Sequence, residues 1–126
     1  MNKKTEALMK TLTTEEVAVI HSGISEDTPR TVAFIAMDKT MSDGEKCEAA
    51  YMLTNSITEA WYTSDKVNYV GPEKSCRSTS VGDFVLVGKT KYECKPAGWS
   101  KHAYLKPAHD WSDVLELKEA HIWNKI

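Results

Sequence analysis

The sequence contains no CxxC pair, no HExxH step, no cysteine–histidine finger and no glycine-rich phosphate loop. The first three absences remove the common zinc and dithiol frameworks, whose ligands need fixed short spacings to meet. The last removes the usual nucleotide cradle. No run approaches the roughly 18 apolar residues of a membrane-spanning helix, and the opening MNKKTEALMKTLTTEE lacks the apolar centre of a signal peptide. A cytoplasmic protein without membrane contact is therefore expected. Charge excess is missing too: 16 basic residues stand against 18 acidic ones, a net charge of -2, so no broad field draws the chain to phosphate. Internal repeats and low-complexity tracts are also absent, which leaves residues 1–126 as one expected domain.

What is present fits that size. With 41% hydrophobic and 27% charged residues, the chain can form an ordinary core. A chain of this length buries about two-thirds of its unfolded surface, so a metal or disulfide is not required to hold it. The three cysteines, Cys47, Cys76 and Cys94, are odd in number and read as free thiols. The four histidines, His21, His102, His109 and His121, show no ligand spacing, and neither a metal nor a cofactor is expected.

KKTEALMKTL predicts a short, loosely docked helix within residues 1–14. VAVIHSGI, from Val17, and TVAFIAM, Thr31 to Met37, read as antiparallel neighbouring strands separated by the turn residues SEDTPR. SDGE places Ser42 three residues before Glu45, the spacing of a capping box, and predicts a helix through Asn55 to about Ile57. Cys47, Ala50, Tyr51, Leu53, Thr54 and Ile57 supply its packed side, with Met52 at the edge. A strand is expected at Lys66 to Val70, then a turn at Gly71-Pro72. Phe84 to Val87 and Lys91 to Cys94 flank Gly88 in a hairpin spanning Val81 to Lys95, and PAGW ends its second strand and presents Trp99. The tail fits a helix over 110–123 better than a strand. The expected fold is α+β: an antiparallel sheet, a helix packed on one face, and a β-hairpin in the C-terminal half.

Within CRSTSVGDFVLVGKTKYEC, the segment RSTSVGD has definite physical tasks. Ser78, Thr79 and Ser80 can bond nearby backbone, Gly82 permits a bend, and Asp83 can accept amides, with Arg77 as its partner if the bend brings them together. The first reading is a structured lead-in to the hairpin. Lys89, Lys91, Lys95, Lys101 and Lys106, interleaved with Tyr92, Trp99 and Tyr104, offer a second reading as a stacking surface for single strands, although such a pattern is ordinarily a solvated sheet face. A small hydrolase or transferase using Arg77, Asp83 and His102 ranks last, because the spacing shows no nucleophile beside a base. Cys94 with His102 is a conceivable thiolate pair, but a strand cysteine is more often a core residue.

The order TVAFIAMDKTMSDGEKCEAAYMLTNSITEAW, a spacer, then RSTSVGDFVLVGKTKYECKPAGW resembles a loose group of small uncharacterised proteins of phages, plasmids and mobile elements, including the YodL-like proteins. In that group a helix ending in a TNS-like step and a tryptophan precede an RSxSVGD-like segment, and the hairpin closes in a pair matched here by Gly98-Trp99. The resemblance covers about Thr31 to His102. It implies no reaction or catalytic residue. It does imply that Asn55, Trp61, Arg77, Ser78, Ser80, Asp83 and Trp99 belong to one recurring arrangement, the candidate binding surface. The expected function is that of a phage or mobile-element accessory protein that binds a macromolecule, a protein ahead of nucleic acid.

Overall fold

The computed structural model describes residues 13–24, 28–56 and 59–102. The expected helices near the N-terminus and over 110–123 lie outside these residues, as do Ile57, Tyr104, Lys106, His109 and His121. Among the described residues no helix is long and apolar enough to cross a membrane. The fold is α+β, built on a six-stranded antiparallel sheet: β1 Thr14–His21, β2 Arg30–Asp38, β3 Asn68–Tyr69, β4 Phe84–Val87, β5 Thr90–Lys95 and β6 Gly98–His102, in the order β3-β2-β1-β4-β5-β6.

β1 lies in the middle because both of its faces are apolar. Successive side chains of a strand point to opposite sides, and Val17 and Val19 join Val85 and Val87 beneath the helix, while Ala18 and Ile20 meet Phe34 and Leu86 on the other face. Full burial of such a side chain contributes about 1.5–3 kcal/mol, so a strand buried on both sides anchors the sheet. The β1–β2 register runs from Thr14 opposite Asp38 to His21 opposite Arg30, with a bulge after Val19. β4 pairs with β1 through Ala18 opposite Leu86, Val19 opposite Val85 and Ile20 opposite Phe84, which joins the hairpin to the first strand. Gly88, with φ +61°, makes the tight reversal between β4 and β5.

The helix α1 spans Asp43–Leu53 and begins as its capping box requires. The Ser42 Oγ accepts the Glu45 amide at 3.2 Å, and the Glu45 Oε1 accepts the Ser42 amide at 2.9 Å. Cys47 and Ala50 pack on the sheet, and Lys46 is buried beside Glu15 at 3.4 Å, whereas Met52 is 65% exposed. The helix stops short of the expected Asn55 and Ile57. Thr54 turns its hydroxyl back onto the Ala50 carbonyl at 2.8 Å, and its own carbonyl accepts the Thr79 amide at 3.0 Å, so it cannot serve a further helical turn. Two other expectations change in extent. The strand expected at Lys66 to Val70 shrinks to β3, preceded by a short 3₁₀ turn at Trp61–Thr63. After the reversal at Pro96-Ala97 the chain does more than present Trp99: β6 pairs back along β5, from Gly98 opposite Lys95 to His102 opposite Lys91. Proline is tolerated there because a turn position owes no ladder hydrogen bond.

Candidate functional site

RSTSVGD crosses the end of β1, and Asp83 holds the crossing together. Its carboxylate is fully buried and accepts five bonds. Oδ1 takes the backbone amides of Ser22 and Gly23, both at 2.9 Å, and Arg77 Nη2 at 2.8 Å. Oδ2 takes the Ser80 amide at 2.8 Å and Arg77 Nη1 at 2.6 Å. The Asp83 backbone extends the clasp, since its carbonyl accepts the Cys94 amide at 2.8 Å. Burial alone raises the Asp83 carboxyl; the Arg77 pair, the Ser22 and Ser80 amides and the neighbouring His21 outweigh it and leave the group below the ordinary carboxylate value. A buried charge with this many donors is satisfied by its own protein.

The crossing requires glycine on both chains. A Cβ on Gly23 would stand 2.7 Å from the Val81 carbonyl oxygen, and one on Gly82 would stand 3.0 Å from the Gly23 Cα. Gly82 also has φ +93°, which side-chain-bearing residues rarely adopt.

Behind the clasp runs a second, buried polar chain. The Thr54 hydroxyl lies 2.7 Å from the Thr79 hydroxyl, Thr79 lies 2.9 Å from His21 Nε2, and His21 Nδ1 lies 3.6 Å from the Cys76 Sγ. Each hydroxyl has one hydrogen. The Thr54 hydroxyl is within donating reach of both the Ala50 carbonyl and the Thr79 hydroxyl, and Thr79 in turn bonds His21 Nε2. The network ties one imidazole nitrogen of His21 to Thr79 and turns the other, Nδ1, toward the Cys76 thiol. His21 Nε2 also lies 3.9 Å from Asp83 Oδ2, and the imidazole rests edge-on against Trp61, centroids 6.3 Å apart.

Cys76 is half-buried and opens onto a cleft of about 580 Å³ at this end of the sheet, lined among others by His21, Arg30, Tyr69, Glu73 and Arg77. The Tyr69 hydroxyl donates to the Glu73 carbonyl at 2.6 Å and shapes the loop that carries Cys76. Burial, followed by the nearby Cys76, raises the Tyr69 phenol above its ordinary value. The other two thiols are buried. Burial pushes Cys47 up to about 12, with Asp43 and Glu48 adding to it, and burial likewise raises Cys94.

Of the sequence-derived surface, five residues meet. Arg77 and Asp83 form the bidentate pair, Ser80 donates its amide to Asp83, Ser78 Oγ accepts the Ser56 amide at 3.0 Å, and Trp61 Nε1 donates to the Arg77 carbonyl at 3.0 Å. Asn55 flanks this group and turns its side-chain amide onto the Tyr51 carbonyl at the end of α1. Trp99 bonds elsewhere: its indole donates to Glu48 at 2.8 Å and stands edge-on to Tyr51, on α1. The residues that sequence reasoning missed are His21, Cys76, Arg30 and Tyr69. One signal was available in VAVIH, where a histidine continues the core-facing alternation of Val17 and Val19 and so needs buried partners. Among the described residues no group of three or more acidic, histidine or cysteine side chains is placed to hold a metal.

No family model, no curated protein and no solved structure matches this chain.

Proposed function

We propose that this protein is a phage or mobile-element accessory protein that acts by binding another protein, and that its contact surface lies at the end of the sheet closed by the Asp83 clasp. The observation that carries the choice of protein over nucleic acid concerns the lysine-rich hairpin. For single strands to stack, aromatic faces and cations must share one open surface. Here Tyr92 and Trp99 pack toward the helix-side core, Tyr92 bonded to Asp43 and Trp99 to Glu48. Lys91, from the opposite face of β5, is itself buried, its ammonium 5.3 Å from the Phe84 ring centroid, and Lys95 is paired with Glu93 at 2.8 Å. Lys91 and Lys95 thus lie on the face away from Tyr92 and Trp99, and Lys101, which shares the face of those two rings opposite Tyr92, meets rings whose polar atoms are already bonded to α1.

The clasp end offers a protein partner more. Ile24 is 64% exposed and Val81 47% exposed, and the Gly23–Gly82 crossing holds their backbones beside one another, next to the arginine-bearing cleft. Apolar side chains on a backbone already fixed lose little further freedom on docking. The test is affinity capture from host cells, with and without nuclease, using the wild type and an Ile24→Asp/Val81→Asp variant of matched thermal stability. A captured protein that survives nuclease and is lost with the variant supports the reading. Capture that vanishes with nuclease and weakens steeply with salt, as phosphate contacts do, refutes it.

A further inference from the structure

The proposed binding role leaves Cys76 and His21 unused, although they form the one nucleophile–base contact seen among the described residues that opens onto a cleft. We propose that Cys76 and His21 are a thiol–imidazole pair that exchanges with small disulfides bearing carboxylates, drawn into the cleft by Arg30. Three observations converge on the pair. Cys76 Sγ and His21 Nδ1 are 3.6 Å apart. The base is oriented by a third group, Thr79, itself fixed by Thr54 and the end of α1. The sulfur is half-buried at the wall of a cleft of about 580 Å³, large enough for a small organic molecule. A nucleophile, a base in hydrogen-bond reach and an orienting partner are the parts an activated thiol needs.

Of the two arginines lining the cleft, Arg77 is committed to Asp83, and exposed Arg30 is the one placed to meet an anion. Arg30 comes from β2, Arg77 from the loop that carries Cys76, Tyr69 from β3 and His21 from β1. Asp83 lies behind His21 and is engaged by Arg77. Glu73, the acidic residue lining the cleft, is 75% exposed and 3.9 Å from Arg30, where water screens it. A histidine in contact favours the thiolate form.

In the exchange, His21 Nδ1 takes the Cys76 proton and the thiolate attacks one sulfur of the incoming disulfide. A new S–S bond forms to that half. The old S–S bond breaks with its electron pair on the other half, which takes the proton from His21 and leaves as a thiol. One protein thiol and one disulfide become one mixed disulfide and one small thiol, so the disulfide is the oxidant and nothing further is required.

Stopped-flow exchange on the full chain tests this with two probes, the dicarboxylate disulfide of nitrobenzoate and the uncharged dipyridyl disulfide, each referenced to a small model thiol. Cys76 is expected to react first, about tenfold or more ahead of Cys47 and Cys94, as one equivalent that Cys76→Ser removes. Its preference for the dicarboxylate should exceed that of the model thiol, and Arg30→Gln should slow the dicarboxylate probe more than the uncharged one. His21→Asn should slow both probes. If that variant does not fold, the wild-type pH profile decides: a midpoint below the ordinary thiol value of about 8.5 supports the pair, and one at or above it overturns it. First reaction at Cys47 or Cys94, or a charge preference equal to the model thiol's, also overturns the proposal.

Discussion

Four glycines separate backbone conformation from crowding, and substituting each by alanine tests how the β1 end is built. Gly82 has both constraints: φ +93°, and a Cβ position 3.0 Å from the Gly23 Cα. A left-handed backbone costs a non-glycine residue about 1–2 kcal/mol. The crowding adds about 1–3 kcal/mol, because the Gly23 backbone is held by the Asp83 carboxylate and cannot retreat without losing a bond. Gly82→Ala should therefore lose about 2–5 kcal/mol, a fall of about 1–2.5 M in the urea midpoint for a chain of this size. Gly88 has φ +61° and open space around its Cβ position, so Gly88→Ala should show the backbone contribution alone. Gly23→Ala meets the Val81 oxygen at 2.7 Å without a positive φ and should show the crowding alone. Gly44, in the first turn of α1 with nothing near, should gain about 0.4–1 kcal/mol from a less flexible unfolded chain. Urea titrations of the four variants beside wild type are sufficient. If Gly82→Ala loses no more than Gly88→Ala, the crossing does not constrain this end of the protein and the reasoning fails.

Two further outcomes follow from the hydrogen bonds. Ser42→Ala removes the side-chain half of the capping box and should lower unfolding free energy by about 1 kcal/mol, read from denaturant midpoints, while Ser42→Asp should retain most of it. Because the folded Asp83 carboxyl sits below its ordinary value, its contribution is complete above the unfolded carboxylate value of about 3.9 and is lost as pH falls through the lower folded value. Urea midpoints of wild type and Asp83→Asn should therefore be far apart near neutral pH and converge in acid; a gap that stays constant would contradict the assignment.

Local patterns carried much of this fold into the sequence. The alternation in VAVIH and TVAFIAM marked β1 and β2, SDGE marked the start of α1 to the residue, and the glycine between FVLV and TKYEC marked the hairpin. The end of α1 was not legible, because it is set by Thr79, far along the chain, through its contacts with Thr54. β6 was hidden for a related reason: PAG reads as a stop, and only pairing to β5 turns the following residues into a strand. In the candidate site, Arg77 and Asp83 were visible because they are six residues apart. Cys76 and His21 are 55 residues apart and meet only because β4 pairs beside β1. The burial of Lys46 is set in the same way, by Glu15, 31 residues away.

The central claim is that RSTSVGD is a brace before it is anything else, and a double-mutant cycle on Arg77 and Asp83 tests it most directly. Arg77→Ala leaves the buried carboxylate without its cation, and Asp83→Ala leaves the Ser22, Gly23 and Ser80 amides without their acceptor. Each should destabilise, Arg77→Ala by about 3–5 kcal/mol if no water replaces the guanidinium. The double variant should lose clearly less than the sum, because the two side chains act through one shared contact. Denaturant midpoints for the four proteins measure this; if both single variants and the double variant unfold at or above the wild-type midpoint, the segment is no brace, and its polar groups are held for a ligand instead.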